Sequence, residues 1–278
     1  MTVEDLARLA VADVLEGRRW LVLTGAGVST DSGIPDYRGP GSPVRTPMTY
    51  QEFVGTSEGR QRYWARAHVG WSRMRRAEPN ATHTTLMRLQ QDGRLTGLIT
   101  QNVDGLHERA GHHDVIDLHG RIDRVVCLGC REITSRADLH DRLTRLNPGY
   151  ESRIGEIAPD GDVVLGATDG FRVAACPACR GDLKPDVVFF GENVPKDRVR
   201  RAFELVEQAD ALVVLGSSLQ VMSGLRFVRA AHKREIPIVI VNRGSTRADD
   251  LATLKVDAGC AETLAGLAAE LPGVSQTA

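Results

Sequence analysis

Four cysteines stand in two Cys-x-x-C pairs, Cys127 with Cys130 and Cys176 with Cys179, and 45 residues separate the pairs. Four thiolates at that spacing suit a tetrahedral ion of the zinc type. They leave no coordination position for water, so the expected Zn2+ is structural, and its work is to fold a small module. The same residues can also be read as two redox pairs or as four inert thiols. Cys260, in "VDAGCAETL", stands alone and reads as a small buried residue.

Other chemistry-bearing residues crowd the ends of apolar runs. Gly25 and Gly27 follow "WLVLT" directly, which lets the backbone turn tightly and bring its N–H groups against a pyrophosphate. The third glycine of a dinucleotide fingerprint is replaced by Thr30, and the charged Asp36-Tyr37-Arg38 follows. The ribose-binding acid expected about 20 residues further on is replaced by a Pro/Gly-rich stretch. Gln101, Asn102 and Asp104 close "LITQNVD", Gly216, Ser217 and Ser218 close "VVLGSS", and Asn242 closes "IVIVN" before Arg243 and Gly244. Side-chain amides can hold sugar hydroxyls or a carboxamide, and hydroxyls can reach phosphate. His119 in "VIDLHG" is the candidate general base, because an imidazole titrates near neutral pH. His83, His107 and His112 can each be structural. Taken singly, these polar clusters are also what ordinary turns and helix caps provide.

Strand ends that carry such groups need a sheet to align them. The runs "WLVLTG", "LTGLITQN", "ALVVLG" and "IPIVIVN" read as buried parallel strands, with helices over 2–17, 197–209 and 223–234 between and before them. That alternation predicts an α/β fold, a Rossmann-like doubly wound parallel sheet with a smaller inserted zinc-binding domain. Residues 1–39, 81–119 and 186–278 would form the larger, Rossmann-like domain. Residues 40–80, a helical insertion, and 120–185, with the cysteines, would form the smaller one. In 278 residues of formal net charge -1, 42% hydrophobic and 26% charged, nothing gathers a basic field for nucleic acid. The longest apolar runs fall far below the roughly 18 residues that span a bilayer. The N-terminal "MTVEDLARLAVADVLEG" is acidic, unlike export or transit peptides, so a cytoplasmic protein is expected. Its positive charge, almost wholly arginine, suggests a bacterial source.

In this order, GAGVSTDSGIPDYRG, TQNVDGLH, the LHG around His119, two C-x-x-C pairs, KPDVVFFGE, LGSSLQV and VNRG resemble the sirtuins, NAD-dependent protein-lysine deacylases. The likeness runs from about residue 5 to 270. The stretches "GSPVRTPMTYQEFV", "RQRYWARAHVGW" and "NPGYESRIGEIAPDGDVVL" are similar to class II, the branch that includes a mitochondrial sirtuin of animals.

The resemblance implies that the opening loop wraps NAD. Gly25, Ala26 and Gly27 would lie on phosphate, and Asp36, Tyr37 and Arg38 on a flexible cofactor-binding segment. Gln101, Asn102 and Asp104 would line the nicotinamide and ribose pocket, and Ser217 and Ser218 the phosphate side. Asn242 would meet the adenosine ribose and the Cys260 backbone the adenine. Thr30, Gly216, Arg243 and Gly244 complete the expected cofactor set. Asn102 and Asp104 would position the leaving nicotinamide, and His119 would take a proton from a ribose hydroxyl. Val188, Phe189 and Gly191 would pair with an extended peptide carrying the acylated lysine. Tyr63 and Arg66 form a Tyr-x-x-Arg, but in these surroundings Arg66 is not read as a clamp for an acyl carboxylate. Protein mono-ADP-ribosyl transfer in the same pocket is the first alternative, and a non-catalytic NAD-sensing zinc-ribbon module the second. A dehydrogenase is disfavoured by the missing glycine and ribose acid.

Overall fold

The computed structural model describes residues 3–37, 47–150, 163, 165, 168–265 and 267. Arg38, with residues 39–46 and 151–162, lies outside the described residues.

The four apolar runs form the middle of a six-stranded parallel sheet: β1 (Trp20–Thr24), β2 (Leu95–Thr100), β7 (Ala211–Leu215) and β8 (Ile238–Val241). Two short edge strands complete it, β3 (Ile116–Asp117) and β9 (Leu254–Val256), in the order β3-β2-β1-β7-β8-β9. All the pairings are parallel, with β1 in register with β7 from Trp20 opposite Ala211 to Thr24 opposite Leu215. Chain order reverses between β1 and β7. This is the switch point at which open α/β sheets leave a crevice beyond their carboxyl ends.

The central strands read as continuous apolar runs because both faces are covered. Trp20 and Val22 of β1 pack with Val11 and Leu15 of α1 (Val3–Leu15), with Leu86 and Leu89 of α4 (Ala81–Gln91), and with Leu264 of α9 (Cys260–Leu264). Leu21 and Leu23 point the other way, to Ala202 and Val206 of α7 (Lys196–Gln208) and Phe227 and Val228 of α8 (Met222–Lys233). Each such fully buried side chain contributes about 1.5–3 kcal/mol.

A second sheet is antiparallel and three-stranded, in the order β5-β4-β6, from β4 (Gly120–Cys127), β5 (Ile133–Ser135) and β6 (Leu183–Val187). Only Leu118 and His119 separate β3 from β4, so the chain passes from one sheet to the other at His119. Against this sheet lie α3 (Ser57–Met74) and α6 (Arg136–Leu146), whose Tyr63, Trp64, Leu139 and Leu143 share a core with Val125, Leu183 and Phe189. Trp64 donates its indole N–H to the Leu183 carbonyl at 2.9 Å, tying α3 to β6. Arg136 is fully buried between the rings of Trp64 and Trp71 and donates to the Ala67 carbonyl. The short α2 (Tyr50–Gly55) opens with a reciprocal cap, in which Thr49 accepts from the Glu52 N–H and Glu52 from the Thr49 N–H. A single helical turn, α5 (Leu106–Arg109), follows β2. No helix among the described residues is long and apolar enough to cross a membrane.

Candidate active site

Beyond the carboxyl ends of β1, β2 and β7 lies a cavity of about 970 Å³, walled on its far side by the 187–194 segment after β6. Every residue expected from sequence to bind cofactor, peptide or proton faces it, Arg38 alone falling outside the described residues. The loop from β1 contributes Gly25, Ala26, Gly27, Thr30, Asp36 and Tyr37, and the end of β2 contributes Gln101, Asn102 and Asp104. His119 follows β3, Gly216, Ser217 and Ser218 follow β7, and Asn242, Arg243 and Gly244 follow β8. Cys260 opens α9, and Val188, Phe189 and Gly191 form part of the far wall.

The glycine loop is pressed against the end of β7. Gly25 donates to the Leu215 carbonyl at 3.0 Å and Gly27 to the Gly216 carbonyl at 2.9 Å. Gly216 has φ +60, and a Cβ there would come within 2.5 Å of the Val28 nitrogen. No side chain fits between these backbones, and the N–H groups of Gly25 and Gly27, expected from sequence to meet a pyrophosphate, are instead spent on this contact, so the two glycines serve the cavity by close approach and not as donors.

Asn102 is 9% exposed and donates to the Gly25 carbonyl at 3.0 Å and to Ser29 Oγ at 3.1 Å. Ser29 in turn donates to Asp104 at 2.8 Å, and the other Asp104 oxygen accepts from the Leu106 N–H at 2.9 Å. Burial pushes the Asp104 carboxyl above its ordinary range, and these two donors pull the other way. Gln101 donates to Ser217 Oγ at 2.8 Å, bridging β2 and β7 across the switch point.

The His119 ring is held at both nitrogens. Nδ1 lies 2.8 Å from the Gln101 carbonyl, which can only accept, so Nδ1 carries the proton in the neutral ring. Nε2 therefore presents its lone pair and accepts from the Ser223 hydroxyl at 2.8 Å. Burial lowers the His119 pKa to about 4, against the hydrogen bond to Gln101, which raises it, so the ring is neutral at pH 7. A neutral imidazole facing a cavity can accept a proton there.

The Val188–Gly191 wall is partly engaged within the protein. Val188 donates its N–H to the His119 carbonyl at 2.8 Å, and Phe189 donates to Glu192 Oε2 at 2.9 Å. A paired peptide would meet other backbone groups of this segment. Behind it the buried Lys184 reaches Glu192 at 3.1 Å. Tyr63 lines the cavity, whereas Arg66 turns from it and donates to the Val163 carbonyl at 2.8 Å. Cys260 is buried, which pushes its thiol up to about 12.

The four knuckle cysteines converge, with their sulfurs all within 4.8 Å of one another. Cys127 and Cys179 lie 3.4 Å apart, and Cys130 and Cys176 3.8 Å. Thiolates at about 2.3 Å from a tetrahedral Zn2+ would stand roughly 3.8 Å apart, within about 1 Å of the separations here, so the set fits a metal with small shifts. Both knuckles repeat one turn: Arg131 N–H donates to the Cys127 carbonyl and Arg180 N–H to that of Cys176, each arginine at φ +66. The thiols are free of disulfides.

Ser29 and Ser223 carry much of this geometry and were not singled out from sequence. Neither sits in a spacing pattern of its own. The one local hint for Ser223 is the glycine after it, where a Cβ would meet Gln101 Oε1 at 2.5 Å. His107 and His112, by contrast, are buried as structural groups. His107 bonds Thr24 Oγ1 at 3.0 Å, and Thr24 donates to Thr100.

Known proteins share this architecture. Residues 25–223 match the model of the Sir2 family. An NAD-dependent protein deacetylase 1 of Mycobacterium avium (strain 104) is 57% identical over 276 residues, covering 98% of each chain. The mitochondrial NAD-dependent protein lipoamidase sirtuin-4 of Bos taurus is 48% identical over 254 residues, 89% of this chain and 81% of that one. Among solved structures, a complex of Sir2 with a p53 peptide and NAD+ superimposes with a TM-score of 0.76 at 32% identity, over 94% of this chain and 97% of that one. A complex with deacetylated p53 peptide and 3'-O-acetyl ADP ribose gives 0.74 at 31%, over 96% and 99%.

Proposed function

The chain belongs to the Sir2 family and is an NAD-dependent protein-lysine deacylase, and on that premise we propose how its own residues divide the work. NAD, when bound, supplies an ADP-ribosyl acceptor for the acyl group once nicotinamide has left.

The observation that carries the reading is the meeting of three things in one cavity: a glycine loop that no side chain obstructs, an amide–carboxylate pair joined through Ser29, and a neutral imidazole. The Gly25–Gly27 loop, with Gly216, Ser217 and Ser218 opposite, leaves the side-chain-free space that the pyrophosphate occupies. Thr30, Asp36, Tyr37 and Gln101 line the nicotinamide side, and Asn242, Arg243, Gly244 and the Cys260 backbone the adenosine side. Asn102 and Asp104 orient the nicotinamide ribose, fixed to each other through Ser29. His119 Nε2 accepts a proton from a ribose hydroxyl, and the Gln101 carbonyl holds the ring's other face. Backbone of the Val188–Gly191 segment pairs with the peptide, whose acyl-lysine passes Tyr63 and Phe189.

We assign the ion of the four-cysteine cluster as structural Zn2+, on ligand type and sulfur spacing. The two-domain division expected from sequence is supported by the two sheets, although β6 itself runs across the 185/186 boundary. Class II membership and a place in a bacterial cytoplasm are supported by the sirtuin-4 and bacterial relatives.

The test is NAD-dependent turnover, followed by mass spectrometry, on matched peptides bearing acetyl, succinyl, long-chain, methylglutaryl-type and lipoyl lysine. Acyl loss in step with O-acyl-ADP-ribose, abolished by His119→Tyr, is expected. ADP-ribose left on protein with no acyl loss on any peptide would overturn it in favour of ADP-ribosyl transfer.

A further inference from the structure

Ser223 stands in the first turn of α8 with 8% of its surface exposed, facing the cavity, and its hydroxyl reaches His119 Nε2 at 2.8 Å. It is 104 residues away in sequence and on a different element from His119. The approach is built. Gly224, the next residue, lies so close to Gln101 that a Cβ would meet its side-chain oxygen at 2.5 Å, which lets the start of α8 settle onto the end of β2.

The bond has a defined direction. The Gln101 carbonyl can accept only, so it takes the Nδ1 proton, and the bare Nε2 must be the acceptor from Ser223. A hydroxyl also suits the protonated ring. Once Nε2 has taken a proton it becomes a donor, and a hydroxyl can rotate and accept from it where an amide N–H or an ammonium could not.

We propose that Ser223 is a positioning residue for the base: with Gln101 it clamps the His119 ring at both nitrogens in the free site, yields Nε2 when the ribose hydroxyl takes its place there, and partners it again once the ring carries the proton. The clamp sets the aim of the lone pair. It does not hold NAD or peptide. The proposal rests on His119 being the base.

The test uses the full chain, comparing Ser223→Ala, Ser223→Thr and His119→Phe in deacylation of an acetyl-lysine peptide. Ser223→Ala should lower kcat by about tenfold to a hundredfold, the cost of a base misaligned by a fraction of its reach. KM for NAD and for peptide should stay within about twofold, since the lost contact is made to an enzyme group. Ser223→Thr, which keeps the hydroxyl, should recover most of kcat. In 15N spectra of histidine-labelled free protein, the His119 Nε2 resonance should move in Ser223→Ala toward that of a ring nitrogen with no hydrogen bond. An unchanged kcat in Ser223→Ala, or a Thr variant as impaired as the Ala one, overturns the proposal. If His119→Phe itself turns over normally, the reading of His119 as base fails instead. An inactive His119→Phe beside a normal Ser223→Ala sinks the role of Ser223 alone.

Discussion

A Cβ built on Gly25 would stand 2.7 Å from the carbonyl oxygen of Gly216, the oxygen that accepts the Gly27 N–H at 2.9 Å. The two strand ends therefore meet backbone to backbone. Gly216→Ala would place a methyl group against Val28 at φ +60, a conformation that costs an L-residue about 1–2 kcal/mol before the clash is counted. Calorimetric titration with NAD should show affinity reduced by roughly tenfold or more, the loop having to move from its place. Wild-type affinity would remove this contact from the cofactor site.

Ser29 gives a second prediction, because one hydroxyl joins Asn102 to Asp104. Ser29→Ala leaves both groups in place and removes their link. Deacylation should fall by about tenfold to a hundredfold, whereas the melting temperature should move by only a few degrees, as loss of about 1 kcal/mol of hydrogen bonding would give. A normal rate would show that Asn102 and Asp104 are aligned by other means.

The metal cluster should govern stability and not chemistry. Cys176→Ser, or exposure to a strong chelator, should abolish metal content and lower the melting temperature by at least about 5 °C, the effect of roughly 2 kcal/mol at this size. Hydrogen exchange should rise first in β4, β6 and α6. Full metal loss with no change in exchange there would contradict a structural role.

Acid should destabilise the fold through a buried histidine group. His83 and His107 have ring centroids 4.7 Å apart, and His107 and His112 5.2 Å. Burial lowers His83 from 6.5 to about 4 and lowers His107 and His112 as well, with Glu108 opposing the effect at His112. The unfolded chain thus binds more protons below pH 6.5. Stability is complete above that value and is lost as pH falls toward 4, His83 alone accounting for roughly 2 kcal/mol by pH 5. Asp117, which burial raises to about 7, acts in the opposite sense over this range, so the drop in melting temperature of at least about 4 °C from pH 8 to 5 is expected as the difference between the wild type and His83→Gln. No such difference would mean that the cluster is already charged or hydrated.

The rate should respond to pH differently. With His119 near 4 in the free site, kcat/KM should hold its plateau until well below pH 6. An acid limb centred near 6.5 would show the ring to be solvated when substrate arrives.

The sheet was legible because its inner strands are apolar on both faces, so β1, β2, β7 and β8 stand out as unbroken runs. The edges were not: β3 is Ile116–Asp117 and β9 Leu254–Val256, too short to show a period. The α3 helix was expected only as part of a helical insertion over 40–80, and its bounds were hidden differently. Its buried face is made of Gly59, Tyr63, His68, Gly70 and Trp71 as well as alanines, types that dilute a helical stripe. In the cavity, the groups at strand ends could be found from the runs they terminate. Ser29 and Ser223 could not, since each matters only for a partner brought to it by the fold, 75 and 104 residues away.

Between β3 and β4 the chain changes sheets within Leu118 and His119, and the carbonyl of His119 is also the anchor for Val188 at 2.8 Å. There is no slack in such a joint. A tilt of the antiparallel sheet relative to the parallel one would be delivered as torque to the backbone that carries the imidazole. The cysteine cluster, whose Cys127 ends the strand that starts one residue after the base, touches no reacting group, and substitutions that unfold it would reach the imidazole only through this joint.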